Sequence, residues 1–284
     1  MGYIKKYSNW RRINESVVSD ESTFKKIHML RSKNLTIDPE KTDMSSVQDL
    51  IKIVKDNLTA LGYSVQSSEN TYDADLISQI KKFQEKNRLP STGKLDVLTF
   101  NTIVKEIKNT DGSIIVYCGN ASSYAYSIIF GGLNFPGSKM KECAKGILDD
   151  RNIIYCNRDK SVAEAWSFLK KFVPGVSIKA VIGFSASGSI IEPLITGEEG
   201  RKFLMVGLID PYLRKQYSSF PTNVKMISNN AVWSSQYPEN QKILKAMEET
   251  PRQDGTAGEK LSTRVNDQHG KIPAIFFEKY KEYI

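Results

Sequence analysis

After residue 112, short apolar runs alternate with helical patterns, and this alternation limits the fold more than any other feature of the chain. Helical patterns over residues 139–148 and 162–172 separate some of the runs. The apolar runs cover residues 113–117, 152–156, 176–182, 203–210 and 224–228. Continuous apolar strands joined by helices are typical of a parallel sheet that is covered on both faces. The sequence therefore predicts an α/β domain over residues 110–284, built on a parallel sheet.

The third apolar run ends at a sharp strand–serine–helix corner. Residues 179–188 (KAVIGFSASG) change from a buried pattern to small residues around Ser185, and a helical pattern follows at residues 189–195. Reactive groups gather at the carboxyl ends of strands in an open parallel sheet, so Ser185 is a candidate nucleophile. Two alternatives stay open, namely a Gly/Ser-rich loop without chemistry and a loop that binds phosphate at the helix N-terminus.

A serine nucleophile needs a base within hydrogen-bond reach and an acid that orients the base. The chain has two histidines, and His269 lies downstream of Ser185, before an amphipathic pattern at residues 274–283. Asp210 ends the fourth apolar run. The sequence predicts Ser185, Asp210 and His269 as nucleophile, acid and base. The alternatives are a helix-capping role for Asp210, a plain loop position for His269, and Asp267 as the acid.

The segment Gly183-Phe184-Ser185-Ala186-Ser187 resembles the Gly-x-Ser-x-Gly corner of α/β-hydrolases. Serine replaces the second glycine of that pattern, and Gly188 follows it. The chain order of nucleophile, acid and histidine is also that of the family. The resemblance implies a serine hydroxyl exposed at the top of the sheet and a last helix that packs on the sheet.

The resemblance also implies an oxyanion hole made of backbone N–H groups. These groups are expected at Ala186, directly after the nucleophile, and at Asn120 or Ala121, after the first strand of the domain. Cys118 precedes this turn and is expected to be a packing residue. Three further segments, expected to line a cleft or to form a mobile loop before the histidine, are residues 122–138, 231–237 and 253–263.

Residues 44–109 carry a helical pattern that predicts a small all-α domain of three helices. Its landmarks are Leu61-Gly62-Tyr63, Asp73, Phe83-Gln84, residues 87–89, Thr92-Gly93-Lys94-Leu95 and Thr99. These landmarks resemble the peptidoglycan-binding-like module of cell-wall enzymes, although residues 80–82 replace its alanine–valine pair and the second glycine of its tail is missing. The resemblance implies a bacterial cell-wall glycan as partner. A copy of the module that serves only as a scaffold is the alternative.

Residues 1–43 are polar and form the predicted N-terminal arm, in which residues 34–41 have the composition of a linker. The arm is expected to be a docking segment or a disordered terminus. The layout of a wall-binding-like module before a hydrolase-like domain resembles phage-encoded lytic esterases. The leading hypothesis is an esterase-type serine hydrolase that acts on an ester of the bacterial envelope, with amide hydrolysis left open. The alternative is a non-catalytic structural or docking component of a phage tail or baseplate, which would contact other phage proteins through residues 1–43.

Composition narrows the classes of partner. The net charge is +8, but lysine and arginine are scattered along the chain, so nucleic acid is not predicted as a partner. Three cysteines without paired spacing argue against a disulfide framework and a zinc site, and no cofactor or metal is predicted. No apolar run has the length of a membrane span. Residues 1–7 lack the apolar core of a secretory signal. We therefore expect synthesis in the cytoplasm without a signal peptide, and action at the cell envelope or in a phage particle.

Overall fold

The structure is a computed structural model that divides the chain into two compact units. One unit runs up to Gly112, and the other runs from Ser113 to Ile284, except for a short stretch beginning at Leu169 that is grouped with the first unit. The described residues are 26, 29–30, 33–66, 70–104, 106–109, 111–120, 123, 125–170, 176–214, 217, 221–229, 242–243, 262–265 and 268–284.

The described part of the first unit is helical, as the periodicity predicts. A 3₁₀ turn at Met44–Val47 leads into the α-helices, which are α1 (Gln48–Ala60), α2 (Ala74–Lys86) and α3 (Val97–Ile103), followed by the short strand β1 (Glu106–Lys108). Asp73 and Asp96 cap α2 and α3, because their side chains accept hydrogen bonds from the N–H groups three residues later. The helices enclose an apolar core that contains Leu50, Ile51, Val54, Leu58, Leu76, Ile80, Phe83 and Phe100.

One buried amide closes the turn between α2 and α3. Gln84 is fully buried, and its Nε2 donates to the carbonyl of Lys94 at 3.0 Å and to Oγ1 of Thr99 at 3.1 Å. Its Oε1 accepts from the N–H of Gly93 at 2.9 Å. A buried amide is stable only when its donors and acceptor are satisfied, so the polar residue of the Phe83-Gln84 landmark holds the Thr92–Leu95 landmark in place.

Part of the predicted linker belongs to the first unit, which corrects the expectation for residues 34–41. Ile37 pairs with Leu95 as an antiparallel bridge and is 2% exposed. The next residue, Asp38, accepts a hydrogen bond from Lys94 Nζ at 2.6 Å. Ile37, one of two apolar residues in this polar segment, therefore anchors it to the first unit. Residues 1–25 of the predicted arm lie outside the described residues.

The second unit is built on a mixed sheet. Its described strands are β2 (Ile114–Cys118), β3 (Ala125–Phe130), β4 (Asn152–Cys156), β5 (Ser177–Phe184), β6 (Met205–Ile209), β7 (Val224–Asn229) and β8 (Ser262–Val265). They lie in the order β2-β4-β3-β5-β6-β7-β8. All neighbouring pairs from β4 to β8 are parallel, whereas β2 runs antiparallel to β4. The expectation of an all-parallel sheet is therefore wrong for β2. Strand β3 lies in the segment that was expected to line a cleft, and β8 begins in the expected loop.

Helices cover both faces of this sheet. They are α4 (Gly137–Ala144), α5 (Val162–Lys170), α6 (Gly188–Thr196), α7 (Glu198–Arg201) and α8 (Ile272–Tyr280). Helices α4 and α8 share one apolar cluster with Ile182 and Phe184 of β5. Gly183 lies between Ile182 and Phe184 in β5, and it approaches Ile191 of α6. Since successive residues of a strand point to opposite faces, α6 covers the face opposite to α4 and α8. Among the described helices, none combines the length and the apolar character that crossing a bilayer requires.

The anchoring role of Ile37 gives a stability prediction. Replacing Ile37 with alanine removes a buried side chain and is expected to lower the free energy of unfolding of the first unit by about 2–4 kcal/mol. Urea-induced unfolding of the full chain measures this change. Leu35→Ala is the matched control, because Leu35 is 40% exposed two residues away, and its effect is expected to stay within about 0.5 kcal/mol. Equal effects of the two substitutions would contradict the placement of Ile37.

Candidate active site

Ser185 lies at the turn where β5 meets α6. It is the first residue after the strand, opens the 3₁₀ turn Ser185–Ser187, and has a φ of 54°. Non-glycine residues rarely adopt this left-handed conformation, which is common at strained functional turns. The residue is partly exposed. The local backbone therefore has the features of a nucleophile elbow.

Small residues around the elbow are required by close backbone approaches. A Cβ atom on Gly183 would lie 2.8 Å from the carbonyl oxygen of Ser187, and one on Gly188 would lie 2.6 Å from Cβ of Pro211. Ser187 stands where the hydrolase pattern has its second glycine. Its buried hydroxyl donates to the carbonyl of Gly131, the residue after β3. This departure from the pattern therefore ties the elbow to the neighbouring loop.

Asp210 and His269 are in direct contact at the same edge of the sheet. Asp210 follows β6, is 1% exposed, and its N–H donates to the carbonyl of Ile227 at 2.6 Å. Its Oδ2 lies 2.6 Å from Nδ1 of His269, which opens the 3₁₀ turn before α8. The His269 ring stacks on the ring of Phe184, with centroids 4.5 Å apart. With Nδ1 held by the carboxylate, Nε2 is the ring nitrogen left to exchange a proton with another group.

Ser185 lies beside this pair. Phe184 pairs in register with Ile209, so Ser185 and Asp210 are the next residues at the carboxyl ends of neighbouring parallel strands. The N–H of Tyr212, two residues after Asp210, donates to the carbonyl of Ser185 at 2.8 Å. The structure thus brings Ser185, Asp210 and His269, the candidate nucleophile, acid and base, to one edge of the sheet.

The expectation for Asn120 is corrected by the direction of β2. Because β2 is antiparallel to β4, its carboxyl end pairs Cys118 with Asn152, at the start of β4 and at the edge of the sheet opposite to Ser185. The N–H of Asn120 donates to Oδ1 of Asn152 at 2.8 Å, and its carbonyl accepts from Nδ2 of the same residue. Asn120 is therefore part of a structural turn. The alternative, Ala121, lies outside the described residues.

The loop after β3 takes the position that was expected for Asn120. A Cβ atom on Gly132 would lie 2.9 Å from Cβ of Ser185 and 3.1 Å from Cδ1 of Phe184. Ala186 follows Ser185 in the 3₁₀ turn, so the backbone of Ala186 and the backbone of Gly132 both lie close to the serine. The oxyanion hole of α/β-hydrolases uses this pair of elements. The signal in the sequence was the Gly131-Gly132 pair, directly after an apolar run that was not recognised as a strand.

The remaining sequence-predicted positions are less informative for the site. Asp267 and residues 231–237 lie outside the described residues. Cys118 is buried, in keeping with a packing role. Cys143 lies near the histidine, with Sγ 3.7 Å from the carbonyl oxygen of Gly270, and burial raises the pKa of its thiol. A thiol with a raised pKa is a poor nucleophile at neutral pH.

The close approach of Gly132 to Ser185 gives a prediction. Gly132→Ala is expected to lower the free energy of unfolding by about 1–3 kcal/mol, because the added methyl group overlaps the Ser185 and Phe184 side chains. Gly270→Ala is the control within the same site, since its Cβ would meet Phe135 at an ordinary contact distance of 3.4 Å. Its effect is expected to stay within about 0.5 kcal/mol. Thermal and urea unfolding measure both, and a neutral Gly132→Ala would contradict the close approach.

Comparison with known proteins identifies one part of the chain. Residues 47–103 match the family described as "Putative peptidoglycan binding domain". The match covers α1, α2 and α3 of the first unit. A search of the curated proteins found no significant match to the chain. Residues 47–103 therefore form a peptidoglycan-binding domain, followed by a mixed α/β domain.

Proposed function

We propose that the second unit is an α/β-hydrolase-type serine esterase, which the peptidoglycan-binding domain directs to a substrate of the bacterial cell envelope. One observation carries the proposal. The buried carboxylate of Asp210 lies 2.6 Å from Nδ1 of His269, at the edge of the sheet where Ser185 occupies a left-handed turn. This combination matches the nucleophile, base and orienting acid of serine hydrolases.

The order of the strands supports the hydrolase part of the proposal. An antiparallel strand, β2, precedes a run of parallel strands in which the serine follows β5 and the histidine follows β8. The acid follows β6, whereas many hydrolases carry it one strand later. In this chain β7 ends at Ser228 and Asn229, which are not carboxylates. Among the described residues, the carboxylate in contact with His269 is that of Asp210.

The proposed mechanism has two half-reactions, acylation and deacylation of Ser185. Ser185 Oγ attacks the ester carbonyl while His269 Nε2 takes its proton, and Asp210 stabilises the resulting imidazolium. The N–H groups of Ala186 and of the Gly132–Leu133 loop donate hydrogen bonds to the carbonyl oxygen and stabilise the negative charge that develops on it. His269 returns the proton to the departing alcohol, which leaves an acyl-serine. Water then attacks the acyl-serine with His269 as base, and this step releases the acid and restores the hydroxyl.

Removing the nucleophile tests the catalytic part of the proposal. Ser185→Ala is expected to lower kcat/KM for p-nitrophenyl acetate by about 10³-fold or more, because no hydroxyl remains to form the acyl-enzyme. A fluorophosphonate probe is expected to label the wild-type chain at Ser185 and to leave this variant unlabelled.

Ser189→Ala is the matched control for this experiment. Ser189 lies in α6, four positions after the nucleophile, and its hydroxyl donates to the carbonyl of Ala186. This variant is expected to keep its labelling and most of its activity. A wild-type chain that neither turns over the ester nor reacts with the probe would favour the alternative, a non-catalytic docking component of a phage particle.

The peptidoglycan-binding domain supports the envelope part of the proposal. In this proposal the domain binds a cell-wall glycan. The net charge of +8 also favours association with anionic wall polymers. In this proposal the first unit holds the enzyme at the wall, while the second unit cleaves an ester in the same envelope. The site of action is then the cell envelope, whether or not a phage particle delivers the protein.

Binding to purified sacculi tests the targeting role separately from catalysis. The Ser185→Ala chain is expected to co-sediment with sacculi as well as the wild-type chain does. Leu76→Asp places a charge in the core of the first unit, where Leu76 is fully buried, and is expected to abolish co-sedimentation. Leu61→Asp changes a leucine that is 51% exposed in the same domain, and should retain binding. If the Ser185→Ala chain did not co-sediment, binding to sacculi would depend on the second unit and not on the helical domain.

A further inference from the structure

Helix α6 carries a buried carboxylate that the proposed mechanism does not use. Glu192 is 7% exposed and lies on the helix that begins at the nucleophile elbow. Burying a carboxylate costs free energy unless hydrogen-bond donors satisfy it. The hydrogen-bond partners of Glu192 therefore identify the segment that its side chain holds in place.

These contacts reach the segment that follows the acid candidate. Oε1 of Glu192 accepts a hydrogen bond from the backbone N–H of Arg214 at 3.1 Å. The hydroxyl of Tyr217 donates to the backbone carbonyl of Glu192 at 3.5 Å. Burial and the Glu192 carboxylate raise the pKa of Tyr217, so its phenol stays protonated and available as a donor. Leu213 and Tyr217 are also buried.

The same helix also holds the start of this segment. Gly188 allows Pro211 to approach so closely that a Cβ atom would lie 2.6 Å from the Pro211 ring, and the N–H of Tyr212 donates to the carbonyl of Ser185. Residues 211–214 and Tyr217 thus contact α6 both at the elbow and at Glu192. Asp210 stands at the head of the segment with a φ of 39°, a conformation that persists only when its surroundings hold it.

We propose that Glu192 is a positioning residue for Asp210. By holding the N–H of Arg214, it fixes residues 211–214, and these keep the Asp210 carboxylate in line with Nδ1 of His269. This inference rests on the proposed function, because its consequence is a catalytic rate. A small displacement of the acid would misdirect the histidine, and a misplacement of about 1 Å is known to lower enzyme rates by about 10²-fold.

Three substitutions at Glu192 in the full chain test this role. Glu192→Ala is expected to lower kcat for p-nitrophenyl acetate by about 10- to 100-fold, with KM within about threefold of the wild-type value. Glu192→Gln keeps an oxygen that can accept from Arg214 N–H, so it should restore kcat to within about threefold. Glu192→Asp keeps the charge but shortens the reach, and should behave like alanine. If Glu192→Ala does not fold, the contrast between glutamine and aspartate carries the test.

Ile195→Ala separates positioning from general destabilisation. Ile195 is fully buried on the same helix, one turn beyond Glu192 in the chain. Its truncation should lower the thermal midpoint at least as much as Glu192→Ala does, and yet leave kcat of the folded protein within about threefold of wild type. An equal fall in kcat for both variants, or an unchanged kcat in Glu192→Ala, would overturn the inference. An inactive and unlabelled wild-type chain would instead overturn the proposed function.

Discussion

The arrangement of the α/β unit depends on the contact between Asp210 and His269. A carboxylate that is 1% exposed must be satisfied by donors, and His269 supplies one from the far end of the chain. This polar contact fixes the turn before α8, while Phe276 of α8 packs so closely on Gly207 that a Cβ there would lie 2.8 Å from the ring. The Asp210–His269 contact and the packing of Phe276 on Gly207 together fix the position of α8. They thereby also fix the position of the His269 imidazole.

The central features of the site could be predicted because local sequence determines them. An apolar strand that breaks at Gly183 and Ser185 signals an elbow, and Asp210 closes another apolar strand. The direction of β2 could not be predicted, since the apolar pattern of a strand does not encode which way it runs. For this reason Asn120 was expected beside Ser185, where the structure has Gly132. Strand β3 was missed because Tyr126 and Ser127 interrupt its apolar character, although both are buried.

The helical unit followed its sequence more closely because its landmarks act over short distances. Asp73 caps the helix that follows it, and Gln84 binds a turn only a few residues away. Ile37 was the exception, since its partner Leu95 lies far along the chain. Leu35 and Ile37 are too few apolar residues to give a periodic signal, so only the folded structure shows that Ile37 is buried and Leu35 exposed. In each unit, the feature that the local patterns missed depends on a distant partner, which is Leu95 for Ile37 and β4 for the direction of β2.

Within the described residues of the second unit, the non-glycine residues with positive φ are Asn134, Ser185 and Asp210, all in loops at the carboxyl edge of the sheet. Such backbone conformations cost of order 1–3 kcal/mol each for ordinary residues, whereas glycine adopts them freely. Glycine at either position would relieve this backbone strain, but at Asp210 it would also remove the contact with His269. The conformation at these two positions is therefore maintained by the surrounding contacts, since serine and aspartate have no intrinsic preference for it.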